Sequence, residues 1–140
     1  MIAGDGDDKR RLQAMAKTLE LEERVIFTGF VAEEEKADYY SLADVYVMPS
    51  RGEGFGYVLL EALASGVPAI GSRLDGGREA LRDGELGLLV DPSNPAEVAA
   101  AIREALANEA PRRVPEGLDH FSFENFAERL RRIVDQTFVR

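Results

Sequence analysis

Residues 45–71 read VYVMPSRGEGFGYVLLEALASGVPAIG, and this stretch predicts a strand, a helix and a second strand. The apolar run at residues 45–48 is short and rich in valine, as is typical of a buried parallel strand. The helix predicted over residues 57–65 ends at Gly66, because glycine favours the position after a helix and the proline two residues later cannot continue it. The apolar run at residues 67–71 therefore predicts the next strand.

The rest of the chain repeats this alternation. Three further apolar runs predict strands, at residues 1–3, 25–28 and 87–90. Helical spacing predicts helices around residues 12–19, 32–42, 79–82 and 95–106. Strands that alternate with helices form βαβ units with right-handed crossovers. We therefore expect an α/β fold, a Rossmann-like doubly wound parallel sheet of about five strands with flanking helices.

The composition changes near the C-terminus. Residues 108–121 contain prolines, a glycine and paired arginines, which predicts a linker. Ser122 can cap a final helix, whose apolar residues recur at helical spacing. The sequence thus predicts three segments: an α/β domain over residues 1–107, a linker over residues 108–121, and a closing amphipathic helix over residues 122–140.

Composition and charge exclude several functions. The 140 residues suit one domain of about 100–150 residues. The net charge of −9 argues against general nucleic-acid binding, which needs a basic surface. Without cysteine there is no disulfide scaffold, thiolate zinc site or cysteine nucleophile. No apolar run approaches the roughly 20 residues that cross a bilayer, and the N-terminus lacks the pattern of a signal peptide. We therefore expect a cytoplasmic protein without membrane association.

Glu53 and Glu61 are the candidate ligand-binding residues of the quoted stretch. Ligands of doubly wound sheets bind at the carboxyl ends of strands, and Glu53 follows such an end. Gly54 and Gly56 allow close approach to the backbone, and the next helix offers amides and a positive dipole end to phosphate oxygens. Two carboxylates beside an anion site suit a ligand with sugar, ribose and diphosphate groups. Taken singly, each glutamate could be an ordinary surface acid.

Two other polar features favour structural roles. Asp5-Gly6-Asp7 has the Asp-X-Asp spacing of some metal sites, but two carboxylates alone bind Mg²⁺ poorly. Acids in a turn before a helix more often cap that helix. His120, the single histidine, lies in the predicted linker. We therefore predict no metal site.

Several further motifs accompany the glutamate pair, which has seven residues between its members. In chain order they are GDG at residues 4–6, VIFTGFV at 25–31, ADVYVMPS at 43–50, GVP at 66–68, DGGRE at 75–79 and GLLV at 87–90. This ordered set resembles the C-terminal donor-binding domain of retaining glycosyltransferases of the GT-B architecture, in the bacterial-type group 1 or family 4 class. The resemblance extends from Gly4 to Leu106.

The resemblance implies a role for each site residue. Glu53 would be the catalytic residue and bind hydroxyls of the donor sugar, and Glu61 would hold the ribose hydroxyls. Backbone amides would contact the sugar and the diphosphate at Gly54, Phe55, Gly56, Tyr57 and Val58. Phe30 and Val31 would hold the nucleobase through main-chain groups. Transfer of the sugar would retain its anomeric configuration, with no cofactor and no metal.

The resemblance also implies that parts of such an enzyme lie outside this chain. In the family, a further β-α unit supplies an arginine and a lysine to the donor diphosphate, and an N-terminal domain binds the acceptor. We therefore expect an N-terminally truncated domain that has the nucleotide-sugar donor as a partner. The acceptor-binding domain is then either a partner on another chain or lost with a truncated reading frame. Without a central strand, the first two strands would separate from the last three, and exposed edges could pair two copies. The alternative is a stand-alone nucleotide-sugar-binding or regulatory module without transfer activity.

Overall fold

The computed structural model describes residues 1–138 and contains two separate parallel sheets. One sheet pairs β1 (Ile2–Ala3) with β2 (Phe27–Gly29). The other has the order β3-β4-β5, formed by Tyr46–Met48, Ala69–Ser72 and Leu88–Val90. Each strand lies within two residues of its predicted bounds. The α/β class is confirmed, and the first two strands and the last three belong to different sheets.

Helices follow the strands as the spacing predicts. They are α1 (Lys9–Thr18), α2 (Lys36–Ser41), α3 (Tyr57–Ala64), α4 (Gly77–Ala80), α5 (Pro95–Ala107) and α6 (Phe123–Phe138). Short 3₁₀ helices lie at Glu33–Glu35, Arg82–Gly84 and Glu116–Phe121. Two predicted starts are confirmed, because the Asn94 side chain accepts the Glu97 amide at 3.3 Å and the Ser122 hydroxyl accepts the Asn125 amide at 3.2 Å.

The chain divides into two compact units, Met1–Asp38 and Tyr39–Arg140. The first unit contains the β1–β2 sheet and α1, and Ala16 is its one buried apolar residue. Its turn before α1 corrects one expectation. The Asp8 carboxylate at the N-cap accepts no backbone amide of the helix and pairs with the Arg11 side chain at 2.8 Å, while Asp5 pairs with Lys9 at 2.9 Å. The prediction that the acids of this turn cap α1 is wrong, because basic side chains of the helix itself compete for these carboxylates.

The second unit has a core on each face of its sheet. Alternation along β4 places Ala69 on one face and Ile70 on the other. One cluster packs α3 and α4 against the sheet, with Leu59, Leu63, Ala80, Leu81 and Leu86 buried beside Ala69. The other packs α5 against Ile70 and Val90 through Ala101. Helices on both faces are the mark of a doubly wound fold.

The segments predicted as a linker and a closing helix both contain helical structure. Part of residues 108–121 is the 3₁₀ helix Glu116–Phe121, whose Leu118 and Phe121 pack on the α3 core cluster, so that part is ordered. The α6 helix begins where predicted, and the last two residues of the predicted range, Val139 and Arg140, lie outside the described residues. No residue of α6 up to Phe138 is buried, so its apolar face does not close a core of the described chain.

Across residues 1–138, none of the helices combines the length and the apolar character that spanning a membrane requires.

Candidate functional site

Two loops meet at the carboxyl edge of the β3-β4-β5 sheet. Residues 49–56 follow β3 and lead into α3, and residues 73–76 follow β4 and lead into α4. Since β3 and β4 are parallel neighbours, with Met48 beside Gly71, both loops leave the sheet at the same edge. Ligands bind at this edge in doubly wound folds. The first loop holds Glu53, one of the two predicted ligand-binding glutamates.

The carboxylate of Asp75 ties the second loop to the first. Its Oδ2 atom accepts hydrogen bonds from the Ser50 hydroxyl at 2.6 Å and from the amides of Gly52 and Glu53, both at 3.2 Å. Its Oδ1 atom accepts the Gly77 amide at 3.0 Å. One side chain therefore fixes the backbone on both sides of the site, within the Glu53 loop and at the first residue of α4.

These hydrogen bonds also determine the protonation state of Asp75. Burial of the half-buried carboxylate works to raise its pKa, but the hydrogen bonds from Ser50 and from the amides of Gly77, Gly52 and Glu53 outweigh burial. They hold the pKa of Asp75 below its ordinary value, because they stabilise the charged form. Asp75 is thus an anion that holds two loops together at neutral pH.

Gly76 brings the two loops into direct backbone contact. Its amide donates to the Glu53 carbonyl at 2.9 Å. A Cβ atom at this position would lie 2.0 Å from the Gly54 carbonyl oxygen and 2.7 Å from the Phe55 nitrogen. These distances are far below van der Waals contact, so only glycine allows the loops to approach this closely. The backbone around Glu53 is therefore held by Asp75 and by Gly76.

The Glu53 loop ends at Gly56, which is the N-cap of α3. Its φ of 91° lies in the left-handed region that favours glycine. No side chain caps the first turn of α3, whose leading amides have no partner within the helix. Just before it, the Phe55 amide donates to the Glu53 Oε1 atom at 3.4 Å, and the Phe55 ring lies against Tyr57 and Phe121. The loop thus presents backbone amides beside a carboxylate.

Glu61 lies on α3, in different surroundings from Glu53. The Tyr40 hydroxyl donates to its Oε2 atom at 2.9 Å. The rings of Tyr40 and Tyr46 pack edge to face, with their centroids 5.4 Å apart. Glu61 also lines an open groove of about 770 Å³ between α3 and residues 114–122, in which Tyr57 takes part. The tyrosine holds the glutamate carboxylate in one orientation at the side of this groove.

The remaining predicted site residues are divided between the two units. Val58 is half-buried on the first turn of α3, and Tyr57 beside it is exposed. Phe30 and Val31 belong to the first unit, where they directly follow β2. Phe30 is 82% exposed, so its ring and its main chain are both open to contact by a ligand at this turn.

Sequence reasoning missed three residues that order the site: Asp75, Ser50 and Tyr40. Asp75 stands in the DGGRE motif, but its partners are up to 25 residues away in the chain. Tyr40 reaches Glu61 across 21 residues. The available signal was an acid in the short loop after one strand of a parallel sheet, where its neighbours come from the loop of the adjacent strand.

The described residues also bear on metal binding. Within residues 1–138, no three or more histidine, cysteine, aspartate or glutamate side chains are grouped so that they could hold a metal ion. Asp5, from the Asp-X-Asp turn, accepts the Gly6 amide at 3.0 Å and the Lys9 ammonium group at 2.9 Å. Its carboxylate therefore serves a local turn.

Known proteins match the chain over most of its length. The family described as glycosyl transferases group 1 matches residues 1–116. The D-inositol 3-phosphate glycosyltransferase of Geodermatophilus obscurus is 44% identical over 98 residues, which is 70% of this chain and 22% of that protein. The sequence relationship therefore includes both units and the whole Glu53 to Glu61 stretch.

Solved structures give the same picture. The sucrose-phosphate synthase of Thermosynechococcus elongatus superposes with a TM-score of 0.77 at 35% identity, over 96% of this chain and 35% of that one. Anabaena HepE, solved in complex with UDP-glucose, superposes with a TM-score of 0.68 at 29% identity, over 75% of this chain and 30% of that one. The chain thus spans between about a fifth and about a third of the length of these relatives. Together, the family match and the shared fold show that the chain belongs to the group 1 glycosyl transferases.

Proposed function

We propose that this chain binds the nucleotide-diphosphate sugar donor of a retaining glycosyltransferase. The observation that carries the proposal is the Glu53 loop, which is held by Asp75 and Gly76 and leads directly into the uncapped N-terminus of α3. Amides at such a terminus favour anionic oxygens, and a neighbouring carboxylate accepts hydrogen bonds from hydroxyl groups. A diphosphate attached to a sugar presents both chemistries side by side.

Each predicted residue has a part in this proposal. Glu53 is the catalytic residue that contacts hydroxyls of the donor sugar, and Glu61, oriented by Tyr40, accepts the ribose hydroxyls. Backbone amides from Gly54 to Val58 contact the sugar and the diphosphate. The turn at Phe30 and Val31 receives the nucleobase. The HepE complex with UDP-glucose supports this class of ligand, because HepE shares the fold of this chain at 29% identity.

In the proposed reaction, the acceptor hydroxyl attacks the anomeric carbon on the face from which the diphosphate leaves. The bond from the anomeric carbon to the diphosphate oxygen breaks as the new glycosidic bond forms. The acceptor proton passes to the leaving diphosphate, so the anomeric configuration is retained and no basic side chain is consumed. The protein then acts by orienting the donor and by stabilising charge at the diphosphate.

Because the chain spans only part of its relatives, binding and transfer are tested separately. We expect this chain to bind a nucleoside diphosphate weakly, with a dissociation constant on the order of 1 mM, and to transfer no sugar alone. Titration calorimetry with UDP, GDP and ADP measures the first property, and hydrolysis of the matching nucleotide sugars measures the second. If the chain bound none of the three diphosphates, the proposal would be contradicted. Rapid turnover of a nucleotide sugar by the chain alone would contradict the expectation that it transfers no sugar.

The ribose role of Glu61 has its own test. Glu61→Gln keeps the size of the side chain but removes its charge, and we expect about tenfold weaker nucleotide binding, since hydrogen bonds to charged groups are the strong ones. The matched control is Glu104→Gln, the same change on the exposed side of α5. Equal affinities of the two variants would remove the ribose role from Glu61.

A further inference from the structure

The carboxylate of Asp75 accepts hydrogen bonds from the loop at residues 50–56 and from the first amide of α4, and it has little capacity for others. Three donors converge on Oδ2, from Ser50, Gly52 and Glu53, and a fourth from Gly77 meets Oδ1. A carboxylate oxygen offers about two lone pairs, so Oδ2 is already fully used. Asp75 therefore differs from Glu53, whose Oε1 atom accepts one long hydrogen bond, from the Phe55 amide at 3.4 Å.

We propose that Asp75 is the positioning residue of the donor site, acting through the loop at residues 50–56. This inference rests on the proposed function, since it assigns the loop to the diphosphate and the sugar. Asp75 contacts neither group. It fixes the Glu53 backbone and thereby sets where the Glu53 carboxylate and the following amides stand when the donor arrives.

The contact between the loops explains how this position is transmitted. Gly76, the next residue after Asp75, donates to the Glu53 carbonyl at 2.9 Å, and its Cα lies against the Gly54 carbonyl. A shift of Asp75 therefore moves the backbone at Glu53 and Gly54 with it. Glu61 has a different support, because the Tyr40 hydroxyl on another helix donates to its carboxylate. The diphosphate and sugar part of the site thus depends on Asp75, while the ribose part does not.

This division predicts a selective loss of affinity in Asp75→Asn. The asparagine side chain has one oxygen, which can take the place of either Oδ2 or Oδ1. Its NH₂ group takes the other place, where it faces an N–H donor of Gly77 or of the Glu53 loop and can form no hydrogen bond with it. We expect about tenfold weaker binding of the nucleoside diphosphate that the chain prefers among UDP, GDP and ADP, and of its sugar conjugate. Binding of the corresponding monophosphate should change less than about twofold, since its contacts are concentrated at the ribose and the base.

Ligand-observed NMR on the full chain measures both affinities, because it reaches weak complexes. Asp91→Asn is the matched control: Asp91 is also half-buried and also follows a strand, β5, but it accepts hydrogen bonds from Ser93 in its own loop. It should leave both affinities unchanged. Ser50→Ala removes one donor to Asp75 and should give a smaller loss, about threefold, with the same selectivity for the diphosphate. This variant carries the test if Asp75→Asn does not fold.

The outcomes separate the two proposals. A wild-type chain that binds none of the three diphosphates contradicts the proposed function, and the positioning role falls with it. If the wild type binds, equal losses of affinity for the monophosphate and the diphosphate in Asp75→Asn would show that Asp75 has a merely structural role. Unchanged affinity for both ligands would show that Asp75 has no role. A selective loss in Asp75→Asn and Ser50→Ala, absent in Asp91→Asn, supports the inference.

Discussion

Two turns of this chain contain the same residue types and use them differently. In each, an aspartate followed by glycine comes after a parallel strand: Asp5-Gly6 after β1, and Asp75-Gly76 after β4. Asp5 accepts hydrogen bonds only from residues up to four positions away in the chain, and its side chain is 57% exposed. Asp75 accepts three of its hydrogen bonds from residues 22 to 25 positions away. The first turn is local, and the second joins two loops.

The difference shows that the neighbouring loop, and not the dipeptide, gives such an acid its role. β4 lies beside β3, whose following loop brings the amides of Gly52 and Glu53 to the Asp75 carboxylate. Asp5 has the ammonium group of Lys9, the first residue of α1, as its charged partner. Exposed ion pairs contribute little to stability, whereas a carboxylate that satisfies several backbone amides stabilises a particular loop conformation.

The largest expected difference between the turns is at their glycines. Gly76→Ala would place a Cβ atom 2.0 Å from the Gly54 carbonyl oxygen, so the loops must separate, and we expect a loss of about 2–3 kcal/mol in the free energy of unfolding. A Cβ atom at Gly6 would have no neighbour within 4 Å, so Gly6→Ala should change the free energy of unfolding by less than about 0.5 kcal/mol. Urea denaturation followed by circular dichroism measures both. Equal stabilities would show that the two turns do not differ in packing.

Much of the fold could be predicted because it depends on local patterns. Short apolar runs located the five strands, and the cap at Ser122 located the start of the last helix. What a helix packs against could not be predicted in this way. The apolar residues of α6 are spaced as in a buried helix, yet Phe123 is 77% exposed and Ile133 is 60% exposed. Periodicity identifies an amphipathic face but carries no information about what covers it.

The site divides along the same line. Glu53 and the glycines around it could be found from the sequence, since their positions follow from one strand, one turn and one helix. The roles of Asp75 and Tyr40 could not, because each depends on which elements are neighbours in space. Asp75 meets Ser50 only because β3 and β4 are adjacent and parallel, with Met48 beside Gly71. Prediction from sequence therefore reached the groups proposed to contact the ligand more readily than those that orient them.

The second difference between the turns lies in their response to acid. The folded-state pKa of Asp75 lies below its ordinary value, so its ionised form stabilises the folded chain above the unfolded-state pKa, and this stability is lost as the pH falls through the folded-state pKa. We expect Asp75→Asn to cost about 1–2 kcal/mol at pH 7. The cost should shrink as the pH falls below about 4, because Asp75 is then protonated in the unfolded wild-type chain and, at still lower pH, in the folded chain.

Unfolding by urea at a series of pH values from 7 to about 3 measures this convergence. Asp5→Asn is the comparison. The hydrogen bonds from Lys9 and Gly6 and the charge of Lys9 also lower the pKa of Asp5, but its partners are exposed and local. Its unfolding curves should therefore follow those of the wild type closely at every pH. A cost of Asp75→Asn that stayed constant down to pH 3 would contradict the role of the charge.

The smallest expected effect separates the turns by salt. At low ionic strength, Asp5→Asn should lower the midpoint of urea unfolding only slightly, since Asp5 and Lys9 form an exposed pair four positions apart in the chain. In 1 M NaCl, where the Debye length is about 3 Å, this difference should vanish. The cost of Asp75→Asn should persist, because the donors to Asp75 are mostly backbone amides at hydrogen-bond distance, which salt screens poorly. If salt erased the cost at both positions, Asp75 would be acting as a surface charge like Asp5. Its hydrogen bonds to the Glu53 loop would then make no salt-independent contribution to the free energy of unfolding.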